Sequence, residues 1–237
     1  MKRFATMIVG SIALVAFAGS ASAAALRSPQ VTVNGGGLQG YLNSVGESIN
    51  VGTDQMNVQR WTATVSNNST FTIQVELAGN AATNTYGIYN GSAAVPPLYQ
   101  CFPGAATNGW FAVASFRTGP TRVSVNLFDA SATFQGTTTY LAGPPDRSDF
   151  GFYLQQAPGS GGLTFYTQDA RNPGGVAQAL AYAATGINSG SWWLCFEDLN
   201  APQGSDYDFD DAVLFLESVN PVPVHKTTWG DLKARFH

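Results

Sequence analysis

The sequence contains a long series of short apolar runs separated by turn-forming residues, and this pattern is the main guide to its fold. Within one run, Phe71, Ile73 and Val75 alternate with polar residues, which is the period of a strand with one buried face. Comparable runs occupy residues 57–65, 71–77, 86–89, 110–116, 121–128, 150–154, 163–166, 179–182, 191–196 and 212–219. Their spacing predicts an all-β protein, an antiparallel β-sandwich of jelly-roll-like form.

Local patterns refine this prediction. Runs 57–65 and 71–77 flank a Ser-Asn-Asn-Ser turn cluster, which predicts a hairpin. Runs 110–116 and 121–128 flank Thr-Gly-Pro and predict a second hairpin. Residues 213–216 are continuously apolar, as expected of a strand that is buried on both faces.

Two terminal segments are expected to lie outside the sandwich. Residues 1–23 combine Lys2 and Arg3, an apolar stretch and a final Ala-Ser-Ala, the pattern of a secretory signal peptide. Residues 24–220 would form the sandwich, and 221–237 a Pro-rich linker with a short C-terminal helix. No second long apolar segment follows, so we expect a secreted protein (extracellular, periplasmic or at the cell surface) without a transmembrane anchor after signal cleavage.

The chain contains two cysteines, Cys101 and Cys195. An even number of cysteines in an exported protein favours a disulfide, so we expect a bond between these two residues. Two buried free thiols are the alternative. Neither cysteine lies in a Cys-x-x-Cys motif, which argues against redox catalysis and a thiolate zinc site.

Charged residues are scarce, at 11% of the chain against about 25% in an average protein. Acidic residues outnumber basic ones by 15 to 11, whereas nucleic-acid-binding proteins usually present a basic face, so we expect no nucleic-acid partner. Both histidines, His225 and His237, lie in the tail, which leaves the sandwich without the base of a Ser-His-Asp triad. We therefore expect no catalytic residues and no enzymatic activity.

The acidic residues are concentrated in one stretch. Seven of the fifteen lie within residues 197–217, and no Lys or Arg occurs between Arg171 and Lys226. Carboxylates without cationic partners repel one another, and a calcium ion bound by their oxygens would relieve that repulsion. A solvated acidic turn without an ion is the alternative. The predicted calcium ligands are Glu197, Asp198, Asp206, Asp208, Asp210 and Asp211.

Residues 206–210 read Asp-Tyr-Asp-Phe-Asp. In an extended strand the three carboxylates would share one face, and in a loop the same spacing can surround an ion. The nearby aromatic residues suggest an alternative function, because an exposed Trp192 or Tyr207 would be able to stack on a sugar ring. A weaker alternative pairs Glu197 with an aspartate as the two carboxylates of a hydrolase.

Several motifs occur together in the C-terminal third. They are Gly-Phe-Tyr-Leu at 151–154, Glu-Asp-Leu at 197–199 and Asp-Tyr-Asp-Phe-Asp-Asp at 206–211. In this combination, residues 149–219 resemble domain of unknown function 4114, a bacterial family of secreted and surface proteins. The resemblance implies a secreted β domain, calcium-dependent in relatives, and points by position to the six acids named above. It also implies two contributors from a neighbouring loop, Asp169 and Asn172.

These patterns lead to one leading function and one alternative. The first is a non-enzymatic secreted or surface module whose acidic loop binds calcium and whose role is structural or adhesive. Its partner would be a cell-surface or matrix component. The alternative is a carbohydrate-binding module that contacts a glycan through exposed aromatic residues.

Overall fold

The computed structural model describes residues 24–64, 67–76, 82–117, 122–140 and 149–222. The predicted signal peptide, residues 1–23, lies outside the described residues. Most of the predicted linker and the whole of the predicted C-terminal helix, residues 223–237, also lie outside them.

The described residues form one α-helix and thirteen β-strands, joined in places by short 3₁₀ turns. Helix α1 spans Gly37–Ser44. None of the helical segments in the described ranges is long and apolar enough to cross a membrane. The strands are β1 (Trp61–Ala63), β2 (Asn68–Glu76), β3 (Thr85–Asn90), β4 (Leu98–Phe102), β5 (Phe111–Arg117), β6 (Arg122–Phe128), β7 (Phe134–Tyr140), β8 (Phe150–Gln155), β9 (Thr164–Tyr166), β10 (Ala179–Ala183), β11 (Trp192–Phe196), β12 (Ala212–Glu217) and β13 (Val219–Pro221).

The strands pair into two antiparallel sheets. The six-stranded sheet has the order β13-β1-β8-β3-β4, with β9 paired to β8, and the seven-stranded sheet has the order β10-β11-β12-β2-β5-β6-β7. Aromatic rings from both sheets meet in one large apolar cluster between them, which we refer to as the main core. The ring centroids of Phe71 and Phe152 are 4.9 Å apart there, and those of Phe116 and Phe150 are 5.0 Å apart. The predicted all-β sandwich is therefore confirmed.

A second apolar cluster covers the outer face of the seven-stranded sheet at β10, β11 and β12. Helix α1 contributes Leu38 and Leu42, which pack with Trp193 and Val213. Leu214 and Leu216, which lie two positions apart on β12, face the main core. The prediction that β12 is buried on both faces is therefore confirmed. The buried members of this cluster are Leu38, Leu42, Ile49, Ala177, Leu180, Tyr182, Ala184, Trp193, Cys195, Phe209 and Val213.

One of the two predicted hairpins is present in the structure, and the prediction of the other is wrong. Strands β5 and β6 pair with Phe116 opposite Val123, as predicted. In contrast, β1 pairs with β13 and β8, while β2 pairs with β12 and β5 in the other sheet. Both strands bury one face in the same core, Trp61 from β1 and Phe71 from β2, but from opposite sides. Alternation predicts a buried face and does not specify the partner strand.

The predicted disulfide is also wrong, because Cys101 and Cys195 are buried free thiols. Cys101 on β4 faces the main core, whereas Cys195 on β11 faces the second cluster. The neighbours of Cys195, Leu194 and Phe196, face the main core. Since successive residues of a strand point to opposite faces, the seven-stranded sheet separates the two sulfur atoms.

We expect a reducing agent to leave the thermal midpoint unchanged, because the folded protein has no disulfide to reduce. Burial raises the pKa of both thiols, that of Cys101 to about 12, so iodoacetamide should label neither in the native state. Mass spectrometry after labelling in denaturant, without prior reduction, should show both cysteines alkylated. A midpoint that falls on reduction, or labelling that requires reduction, would contradict the free thiols.

Candidate metal centre

The register of β11 and β12 brings two acidic residues side by side. Phe196, at the end of β11, pairs with Ala212, at the start of β12. Both side chains face the main core, so Glu197 and Asp211, one residue further along, lie on the outer side of the sheet. Like charges in adjacent positions across an antiparallel pair are destabilising unless something compensates them.

Residues 206–210 form a loop rather than a strand, and we refer to them as the acidic loop. Tyr207 has φ 60° and Phe209 has φ 56°, both in the left-handed region that residues other than glycine seldom adopt. Phe209 is fully buried in the second apolar cluster. Its burial holds the loop against the sheet and leaves Asp208 on the same side as Glu197 and Asp211.

Three carboxylates converge at this point. Glu197, Asp208 and Asp211 each offer an oxygen, and these atoms all lie within 4.8 Å of one another. Two oxygens bound to the same calcium ion at roughly 2.3–2.6 Å are at most about 5 Å apart. The spacing of the three oxygens is therefore compatible with a single ion between them. We refer to Glu197, Asp208 and Asp211 as the acidic group.

Glu197 is the most buried member of the acidic group, with 1% of its surface exposed. Its Oε2 atom is buried and has no hydrogen-bond partner among the described residues. Glu47 provides the contrast, because this buried carboxylate accepts hydrogen bonds from the Thr185 backbone and hydroxyl and from Asn188. A buried carboxylate oxygen without a partner is costly, so Glu197 requires either a proton or a cation.

The pKa values of Glu197, Asp210 and Asp211 are raised above their ordinary values. Burial and the charges of the neighbouring acids Asp206 and Asp208 together raise the pKa of Glu197 to about 7. Burial also raises the pKa of Asp211 to about 8, although its Oδ2 accepts a 2.8 Å hydrogen bond from the backbone N–H of Asp198. Burial and the charge of Asp208 raise the pKa of Asp210 to about 6. Near neutral pH, Glu197 and Asp211 therefore hold protons, in part or in full, that a cation would displace.

The other three predicted ligands lie outside the acidic group. The Oδ2 atom of Asp198 accepts a hydrogen bond of 2.9 Å from the Asn84 side chain, and the residue is 2% exposed. Asp206 is exposed to solvent. The carboxylate of Asp210 lies against Gly37, so closely that a side chain at Gly37 would collide with it. Sequence spacing alone does not distinguish these acids from the three that converge.

The two residues suggested by the family resemblance also have other partners. Asp169 forms an ion pair with Arg27, in which Nη1 and Oδ2 are 2.7 Å apart. Asn172 donates hydrogen bonds to the carbonyls of Tyr166 and Val176, at 2.9 and 3.0 Å. Both residues stabilise the segments around them and lie outside the acidic group.

Sequence reasoning missed the segment that supports the acidic loop from outside. The backbone N–H of Asn34 donates to the carbonyl of Tyr207 at 2.9 Å, and its side chain donates to the carbonyl of Asp206 at 2.6 Å. Gly37, the first residue of α1, admits the Asp210 carboxylate next to it. The glycine run before Leu38 indicates a close backbone approach, but it does not identify the approaching residue.

Comparison with known proteins finds no relative for this arrangement. Neither known protein families, nor curated proteins, nor solved structures match the chain. The resemblance of residues 149–219 to domain of unknown function 4114 accordingly stays a prediction from the motifs. What the acidic group is able to bind depends on its own distances, burial and charge.

In the presence of a chelator, we expect the thermal midpoint to fall as the pH rises from about 5 to about 8. The folded-state pKa values of Glu197 and Asp211 lie above their ordinary values, so the protonated carboxyls stabilise the fold at low pH. This contribution is lost as the pH rises through about 7 and then about 8.

The substitution Asp211→Asn tests this assignment directly. Asparagine keeps an oxygen for the N–H of Asp198 but cannot titrate, so the fall with pH should become shallower. Differential scanning calorimetry at several pH values measures both proteins. A wild-type midpoint that stays constant or rises over this interval would contradict the raised pKa values.

Proposed function

We propose that this protein is a non-enzymatic secreted or surface β-sandwich module whose acidic group binds calcium. The observation that carries the proposal is the buried, unpartnered Oε2 of Glu197 next to Asp208 and Asp211. A divalent cation between these carboxylates would pair with that oxygen and remove the repulsion among the three negative charges.

The donor atoms favour calcium among the common metal ions. The acidic group offers carboxylate oxygens and no nitrogen or sulfur, which suits a hard cation such as calcium rather than zinc or copper. Calcium takes 6 to 8 oxygen ligands, so water molecules and backbone carbonyls would complete its coordination. Its flexible geometry also tolerates ligands that come from a strand end and an irregular loop.

The position of the acidic group supports a structural role. Glu197 follows β11, whereas Asp208 and Asp211 belong to the loop that leads into β12. The same loop is hydrogen-bonded to Asn34, just ahead of α1. Calcium would therefore tie together a strand end, the loop and the helix entry, and would stabilise the folded state by binding only to it.

The remaining features of the chain agree with a non-enzymatic exported module. The described residues include no histidine, so an imidazole base or ligand is not available there. Residues 1–23 have the pattern of a secretory signal, and extracellular calcium is sufficient to occupy even weak sites. We propose a structural or adhesive role, with a cell-surface or matrix component as the partner.

We expect calcium to raise the thermal midpoint of the protein lacking residues 1–23, and isothermal titration to show one binding site. At a calcium concentration a hundredfold above Kd, the gain in the free energy of unfolding should be about 2.7 kcal/mol. Asp208→Asn and Glu197→Gln should each weaken calcium binding at least tenfold, because each removes a charged ligand.

Glu217→Gln serves as the matched control, since Glu217 is an exposed acid of the same acidic stretch that lies outside the acidic group. It should bind calcium like the wild type. Circular dichroism shows whether each variant folds. If the folded wild type shows neither binding below millimolar calcium nor a shift of its midpoint on adding EDTA, the proposal is wrong.

A further inference from the structure

A groove with a volume of about 500 Å³ lies next to the acidic loop. Its volume is within the range of roughly 300–1,000 Å³ that is typical of small-molecule sites. Tyr207, the residue between Asp206 and Asp208, contributes to one wall. The residues that matter for its chemistry are Arg27, Gln30, Asn57, Gln59, Asp169 and Tyr207.

The charges of the groove neutralise each other. Arg27 and Asp169 are the charged side chains among the residues that line it, and they form a two-pronged ion pair of 2.7 and 3.3 Å. Gln59 donates a further hydrogen bond of 3.0 Å to the Asp169 carboxylate. Because the two charges are paired with each other, the groove favours an uncharged ligand over an anion or a cation.

The groove nevertheless offers polar atoms to a ligand. Within the described part of the chain, the side-chain amide of Asn57 and the hydroxyl of Tyr207 make no hydrogen bond, although the backbone N–H of Asn57 donates to the carbonyl of Ala25. Apolar surface lies next to them, including Pro29 and Val176, the latter 45% exposed. A pyranose ring combines an apolar C–H face with a rim of hydroxyls, and it matches an aromatic ring set among amide donors and acceptors.

The segment 27–31, which lines the groove, is preorganised by hydrogen bonds to Gln55. Gln55 is fully buried, and its side chain accepts a hydrogen bond from the N–H of Val31 at 2.8 Å and donates to the carbonyl of Val31 at 2.7 Å. Its backbone carbonyl accepts from the N–H of Arg27 at 2.7 Å. Gln55 therefore holds the segment 27–31 at both of its ends, which lowers the entropic cost of ligand binding.

We propose that this groove binds a sugar unit of a neutral oligosaccharide, with Tyr207 as the stacking platform and Asn57 as a hydrogen-bonding group. Trp192 cannot take the stacking role, because it is 8% exposed and faces the main core. The ligand is a saccharide rather than a nucleotide or an acidic peptide, since no unpaired cation lines the groove.

The proposed calcium site and the groove share one backbone segment, and this link rests on the function proposed above. Tyr207 has a left-handed backbone and precedes Asp208, a member of the acidic group. A cation that holds Asp208 would hold the Tyr207 ring at the groove as well. Calcium should therefore strengthen saccharide binding without contacting the sugar.

The test uses cellotetraose, xylotetraose, mannotetraose and chitotetraose as probes, with isothermal titration in calcium and in EGTA. Wild type should bind at least one probe, and EGTA should weaken this binding at least threefold. Tyr207→Ala should weaken it at least tenfold, while Tyr207→Phe keeps the stacking ring and should bind within about threefold of wild type. Phe134→Ala, which removes a ring 56% exposed on β7, is the matched control and should leave binding unchanged.

A calcium titration of every variant separates the two proposals. A wild type that binds calcium but none of the four probes overturns the saccharide groove and leaves the calcium proposal intact. A Tyr207→Ala variant that keeps both calcium and probe binding also overturns the groove. If wild type binds calcium but binds the probe equally well in calcium and in EGTA, the link between the two sites is wrong. If wild type binds a probe but does not bind calcium, the function proposed above is wrong.

Discussion

Strands β11 and β12 are buried on both faces, and the position of the acidic group follows from that burial. Leu194 of β11 and Leu214 of β12 bury one face in the main core, and Leu38 and Leu42 of α1 cover the other face. Apolar packing of this kind fixes the register of the pair to a single alignment. Glu197 and Asp211 adjoin the last residues of that pairing, Phe196 and Ala212. The register therefore brings the two acids together at the edge of a desolvated region.

Electrostatic repulsion in the acidic group is thus a consequence of packing. Glu197 and Asp211 have raised pKa values mainly because burial disfavours their charged forms. Glu47, which is also a buried residue, has hydrogen bonds that together outweigh the effect of burial and hold its pKa below the ordinary value. Burial alone therefore does not distinguish a structural carboxylate from a candidate ligand. The distinguishing feature is the supply of donors, which Glu197 lacks at Oε2.

The loop that carries Asp208 connects the interior of the fold to its surface. Phe209 is buried beneath the loop, whereas Tyr207, two residues earlier, lines the groove. Both have left-handed backbones, which cost free energy, of order 1–3 kcal/mol each, unless the surroundings compensate. Burial of Phe209 and the hydrogen bonds from Asn34 provide part of that compensation. An ion bound to Asp208 would provide more.

The all-β class, the two-sided burial of β12 and the stretch that contains the acidic group are predictable from the sequence, because alternation and composition are local properties. Which elements meet depends instead on how the strands pair and pack. Asp198 and Asp211 are equally acidic in the sequence, yet one turns to Asn84 and the other to Glu197. Cys101 and Cys195 are both buried, but a sheet lies between them. Periodicity specifies which face a side chain occupies, whereas the partner across that face depends on strand order and register.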